Sequence, residues 1–231
     1  DGYVHVPKLG RVRFKQHRPI EGEIRDVSIR VDCRGRWFVQ ISCNVGDAPA
    51  KRMIDAERTT GIDLGLTTFA VLADASEIGN PRFYKRGQQS LARAQRLLSA
   101  KKRGSRSCNR TRTAVARAHE RVRNQRLDFH RNTALGLVRR FDLIAHEDLN
   151  VKGLAAGWLA KAVQDAGWGQ FISILHCKAE EAGVHVVAVD PSGTSQICSW
   201  CGAHVPKTLA ERVHRCPACG VVAGRDHNSA R

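Results

Sequence analysis

No stretch of the 231 residues comes near the roughly 20 consecutive apolar residues that a membrane-spanning helix requires. The opening DGYVHVPKLG has neither a starting Met nor the apolar run of a signal peptide. From these absences we expect a soluble protein and a chain that is a fragment of a longer one. A disulfide framework is lacking too: eight cysteines are too few and too clustered for one in a chain this long, since four of them form two C-x-x-C pairs. A reducing, cytoplasmic compartment is expected, next to the nucleoid if DNA is the partner. Acids are scarce, with 22 Asp and Glu against 38 Lys and Arg and a formal net charge of +16. A field of that sign attracts polyanions, so nucleic acid is the first partner to consider. Internal repeats and low-complexity stretches are also missing, and the length predicts one main domain with insertions.

What is present changes character along the chain. Residues 3–44 alternate apolar and polar in short runs, YVHV, RVRF, IRDVSIRVD and RWFVQISC, which predicts antiparallel hairpins with a turn at Arg34-Gly35. GIDLGLTTFAVLAD predicts a strand, a tight turn at Gly65 and a second strand, with a third through EIGNPRFYKR. From Arg86 to Arg140 the composition turns to Ala, Gln, Leu and Arg, broken between Gly104 and Asn109, and predicts a helical hairpin with Val115, Ala118, Val122 and Phe129 on one face. FDLIAHEDLN predicts a buried strand ending in acids, residues 158–182 a helix with Trp168, Phe171, Leu175 and Ala179 on one face, and VHVVAVD another buried strand.

The basic charge is local. Residues 86–140 hold 16 Lys and Arg against only Glu120 and Asp128, a net +14. Charge runs are ordinarily solvated helix faces. Cations this dense, with almost no acids between them, repel one another unless an anion neutralises them, which favours phosphate contact. Arg93, Arg96, Arg110, Arg117, Arg121 and Arg131 are the candidate contacts.

Two motifs carry chemistry. Cys198-x-x-Cys201 and Cys216-x-x-Cys219 lie 14 residues apart, and each pair runs on into Gly. That spacing suits two knuckles giving four thiolates to one structural zinc, with no vacancy for the nearby His204 and His214. Cys33, Cys43, Cys108 and Cys177 are scattered singly and read as inert small residues. Separately, Asp63 interrupts an apolar strand and Glu147 ends another; ionised carboxylates there are costly unless paired or bound to metal. A lone acid of this kind is ordinarily a cap or a solvated strand end. Two of them in so basic a protein, completed by a third, suit magnesium and phosphodiester hydrolysis.

At these residues the chain resembles the TnpB (OrfB) family of transposon-encoded proteins, relatives of the type V CRISPR effector nucleases. GIDLGLTTFAVLAD is similar to the family's first RuvC motif, IAHEDLNVKGL to the second, and TSQICSWCG, CPACG and GRDHNSA to a zinc ribbon running into the third. The resemblance implies an α/β, RNase H-like (RuvC) nuclease with a mixed sheet, and a triad of Asp63, Glu147 and Asp226 holding magnesium or manganese. It implies a β-rich partial wedge domain over 1–58, an N-terminal remnant of a β-barrel, and a nuclease domain over 59–231. That domain would carry a basic helical insertion at 86–140 and the ribbon at 196–222, which would help hold the Asp226 loop. The implied partners are a guide RNA in the full-length protein and a DNA target. The family carries a longer region before its first motif and usually has Ala where Ser229 stands, so a truncated product or a partial gene is expected. A nucleic-acid-binding remnant that does not cut, and a transposase that joins strands directly, are the alternatives.

Overall fold

The computed structural model describes residues 2–32, 34–208 and 210–231. Cys33 lies outside the described residues. The chain divides into two compact units, 1–47 with 89–121, and 48–88 with 122–231.

In the first unit the alternating runs become two antiparallel hairpins: β1 (Gly2–Val6) with β2 (Gly10–Phe14), and β3 (Glu23–Val31) with β4 (Trp37–Asn44). The turn between β3 and β4 closes on the Asp32 carboxylate, which accepts from the Arg34 and Arg36 amides at 2.8 and 2.9 Å, while Gly35 takes φ 78°. Two helices run from one unit into the other, α1 (Phe83–Ser99) and α2 (Arg106–Arg140). Within the first unit Arg34 and Arg36 both bond the Glu120 carboxylate on α2, so one of the two acids of the basic stretch is already neutralised.

The second unit is built on a five-stranded mixed sheet of β5 (Thr59–Leu64), β6 (Thr68–Leu72), β7 (Glu77–Gly79), β8 (Leu143–Glu147) and β9 (His185–Val189). Its order is β7-β6-β5-β8-β9, antiparallel from β7 to β5 and parallel from β5 to β9. Phe69, Ile144, Phe171, Leu175 and Val184, all fully buried, form its core with Ala134, Leu137 and Val138 of α2. Phe69 meets Phe129 and Phe171 edge-on, with ring centroids at 4.9 and 5.0 Å. Truncating Phe171 to Ala would cost about 3–5 kcal/mol.

Three expectations are corrected. The third strand stops at Gly79, and Phe83 already begins α1. Pro81 cannot extend a ladder, and the Asp165 carboxylate caps the new helix by accepting from the Tyr84 and Lys85 amides at 2.7 and 3.1 Å. The helix expected over 158–182 is two, α4 (Ala160–Ala166) and α5 (Trp168–Ala182), parted by Gly167 at φ 67° and preceded by a short turn, α3 (Val151–Leu154). Trp168 keeps its place in the core at 5% exposure. Finally, β9 is an edge strand with Val187 and Val189 exposed, not a buried one.

Candidate active site and cysteine cluster

The period of two along β5 sends Thr60, Ile62 and Leu64 into the core and leaves Gly61 and Asp63 on the other face. A short helix, α6 (Arg225–Ala230), lies on that face. Gly61 lets it come close, because a Cβ there would stand 2.1 Å from the Ala230 carbonyl oxygen. Parallel pairing sets Ile62 opposite His146, so Asp63 and Glu147 lie side by side at the carboxyl ends of adjacent strands. Asp226, in the first turn of α6, brings the third carboxylate within electrostatic range. Burial, and the negative fields of Glu147 and Asp226, push Asp63 up to about 7 against the opposing pull of Arg225. Glu147 accepts from the Thr194 hydroxyl at 2.6 Å, and Asp226 from Arg225 Nε at 3.2 Å. Among the described residues nothing donates to the Asp63 carboxylate. A half-buried carboxylate beside two others could hold a cation, and all-oxygen donors are of the kind that binds a hard one. The three acids do not close around a single point: among the described residues only the four cysteines bring all their ligand atoms within 4.8 Å of one another.

Those cysteines come from two matching turns. Cys198 and Cys216 carbonyls accept from Gly202 and Gly220 at 2.8 and 2.9 Å, both glycines at φ 74°. The second turn bridges β10 (Val213–Arg215) and β11 (Val222–Gly224). Sulfur separations of 3.8 Å for Cys198 with Cys219 and 3.5 Å for Cys201 with Cys216 are far too long for disulfides. They match the edge of a tetrahedron drawn about an ion with zinc–sulfur bonds of about 2.3 Å, an edge of about 3.8 Å. Backbone N–H donors, that of Cys219 foremost, bring Cys216 down to about 7, whereas Cys201, against the pull of the Ala203 amide, is pushed up to about 12 by its sulfur neighbours and by burial. Four thiolates so close need a cation between them, so the cluster fits a metal such as zinc.

Asn228 fastens the first knuckle to α6. It is 2% exposed. Its Oδ1 accepts from the Ser199 amide at 3.0 Å and hydroxyl at 3.3 Å, and its Nδ2 donates to the Thr194 and Ile197 carbonyls at 3.2 and 2.8 Å. Thr194 is also the residue that holds Glu147. Beside this latch Trp200 meets the His227 ring edge-on at 5.6 Å and lies under the Arg231 guanidinium at 4.4 Å. His227 Nε2 reaches the Ala73 carbonyl at 3.0 Å.

A family model described as "Probable transposase" (OrfB, IS605) matches residues 40–156, half of the chain, and spans both Asp63 and Glu147. The chain belongs to the OrfB/TnpB family. A second model, the Cas12f1-like TNB domain, matches residues 168–231, where the four cysteines and Asp226 lie. A "Putative RNA-guided DNA endonuclease" from Streptomyces pristinaespiralis is 36% identical over 95% of this chain and 54% of its own length. InsQ of Escherichia coli, with the same description, is 28% identical over 99% of this chain and 60% of its own. The chain thus spans little more than half the length of these relatives. Among solved structures, a cryo-EM structure of a CRISPR-Cas12f ternary complex superposes with a TM-score of 0.58 at 17% identity, over 85% of this chain and 41% of that one. At that identity the likeness shows the fold alone.

In this OrfB chain the structure sets Glu147 and Asp226 within electrostatic range of Asp63 without closing the three around one point, whereas it does gather the four cysteines. Arg93, Arg96, Arg110, Arg117, Arg121 and Arg131 are all exposed on α1 and α2. Sequence reasoning passed over Gly61, Thr194, Ser199 and Asn228. Only spacing pointed at two of them, since Gly61 stands two residues before Asp63 and Asn228 two after Asp226. Among the described residues no helix is long and apolar enough to cross a membrane.

Proposed function

We propose that this chain is the nuclease part of an RNA-guided DNA endonuclease, a RuvC unit of RNase H-like fold in which Asp63, Glu147 and Asp226 hold magnesium or manganese. The observation that carries the reading is the placement of Glu147, at the end of β8, and Asp226, at the start of α6, within electrostatic range of Asp63 at the end of β5, with Asp63 raised to about 7 and given no hydrogen-bond donor among the described residues. The sheet order, three antiparallel strands continued by two parallel ones, supports the RNase H-like assignment. Divalent ions bound there would supply an activated water and stabilise the leaving oxygen of the phosphodiester. The protein's own share is positional. Thr194 fixes one oxygen of Glu147, Arg225 holds Asp226, and Gly61 sets the depth of α6 on the sheet. The cysteine cluster is a structural zinc ribbon that anchors the Asp226 end. The exposed arginines of α1 and α2 hold guide RNA and target DNA through phosphate contacts that ignore sequence.

The test is magnesium- or manganese-dependent cleavage of labelled single-stranded DNA by the zinc-loaded chain beside its Asp63→Ala variant. Cutting that vanishes in the variant supports the triad, and cutting that persists refutes it. A second reading, binding without cutting, draws on the local +14 of residues 86–140. It calls for tight, salt-sensitive binding with no metal-dependent cleavage. A third, direct strand joining, calls for strand-transfer products, and nicking without them rejects it.

A further inference from the structure

His214 on β10 is fully buried, next to the cysteine cluster but not among its ligands. Its Nδ1 is engaged by the Lys207 ammonium. An ammonium has only donors, so Nδ1 must be the accepting nitrogen and the ring proton of neutral His214 must sit on Nε2. That Nε2 finds no hydrogen-bond partner, although buried polar hydrogens are almost always bonded. Sulfur is the group it has nearby: the imidazole is close enough to the Cys198 side chain to be one of the influences that lower that thiol, and His214 stands two residues before Cys216 on the strand leading into the second knuckle. Lys207 in turn is close enough to Cys198 and Cys216 to feel their charge.

We propose that Lys207 and His214 form an outer shell of the four-cysteine site, in which Lys207 Nζ donates to Nδ1, fixing the tautomer, and Nε2–H donates to the Cys198 sulfur. Four thiolates around a doubly charged cation leave two negative charges in excess. A hydrogen bond from Nε2 draws density from one sulfur, and the ammonium behind it offsets part of the remainder. The imidazole thereby relays the Lys207 charge to a sulfur that the ammonium does not itself touch. The pair are positioning residues. His214 is neither a spare ligand nor an inert core histidine, and its orphaned nitrogen is satisfied once Cys198 is a thiolate.

The inference rests on reading the four cysteines as a zinc site, and elemental analysis of the parent chain separates the two: absence of zinc overturns both. Given zinc, its affinity is measured by competition with a chromogenic chelator for the full chain, His214→Phe, His214→Gln and Lys207→Met. We expect a loss of about 10- to 100-fold for His214→Phe, as outer-shell changes at metal sites typically produce. His214→Gln keeps an N–H and should lose less, and Lys207→Met should fall between the parent and His214→Phe. If His214→Phe does not fold, the other two variants carry the test. Nitrogen-15 spectra of the zinc-loaded parent should show His214 as the Nε2–H tautomer with a slowly exchanging proton. Unchanged zinc affinity in the folded variants, an Nδ1–H tautomer, or a nitrogen ligand in the spectrum of the cadmium-substituted protein would each overturn the proposal.

Discussion

Replacing Asn228 by Ala tests whether the knuckle holds the acidic site in place. The side chain is 2% exposed and bonds three separate backbone groups, the Ser199 amide and the Thr194 and Ile197 carbonyls. Truncation leaves all three without that partner. Each fully buried unpaired group costs about 1–3 kcal/mol, but Thr194 and Ser199 are half-buried and Ile197 is exposed, so each costs no more than the low end and the total is at most about 3 kcal/mol. For a chain of this size that lowers the melting temperature by up to about 6–12 °C. Zinc should stay bound, because Asn228 touches none of the sulfurs. Cleavage should nevertheless fall by about 100-fold, the scale of an ångström-sized misplacement of catalytic groups, since Asn228 carries the α6 segment bearing Asp226 and also fixes Thr194, which holds Glu147. Calorimetry, zinc analysis and metal-dependent cleavage on one preparation read all three quantities. Asn228→Asp supplies the control: it keeps the acceptor for Ser199 but sets a carboxylate against two carbonyl oxygens, and should destabilise at least as much as Ala. An Asn228→Ala protein that melts within about 1 °C of the parent and cuts as fast would refute the latch.

Gly61→Ala places a Cβ 2.1 Å from the Ala230 carbonyl oxygen, so backbone must move; a folded, zinc-loaded variant with cleavage down about 100-fold is expected, and full activity would dismiss the close approach of α6. Asp63, raised from 3.8 to about 7, binds a proton in the folded state across a window where the unfolded chain does not. In magnesium-free buffer its contribution to stability is therefore full below pH 3.8 and is lost as pH rises through 7, with a slope of at most about 1.4 kcal/mol per pH unit. Chemical denaturation across that range should show the slope, magnesium should restore stability at the alkaline end, and an Asp63→Asn protein with the same slope would contradict the assignment. Replacing Arg117 and Arg121 by Gln should weaken binding to DNA of any sequence and reduce the salt slope by about 1 for each phosphate no longer neutralised; equal slopes would place the phosphate-binding residues elsewhere.

Which parts of this molecule could be read in advance follows from how far each device reaches along the chain. The knuckles repeat C-x-x-C-G, and each glycine bonds back to a cysteine four residues earlier, so spacing alone revealed them. Asp63 stood out because one charged residue in an apolar strand is anomalous over six residues. The start of α1 was misplaced because its cap, Asp165, comes from 81 residues away, and local signals put the boundary at the wrong residue. The break in the 158–182 segment is at a single glycine that looks tolerable in a helix, but its φ of 67° and the 3.1 Å between a would-be Cβ and the His130 ring make any other residue strained there. Asn228 reads locally as one more polar residue near the end of a short basic motif, and nothing in GRDHNSA says that its amide is buried against residues 194–199. The four-cysteine segment stands directly before the last acid, and the contacts of α6 show what that order does. The first turn of α6 draws its position from outside itself: the bare Cα of Gly61 beneath it, the Ala73 carbonyl beside His227, and the knuckle around Asn228. Of those anchors, Gly61 belongs to the strand that carries Asp63 and Ala73 to the turn that follows β6. The third belongs to the four-cysteine segment, and through Thr194 it also reaches Glu147, so order at the four sulfurs extends to two acids that touch none of them.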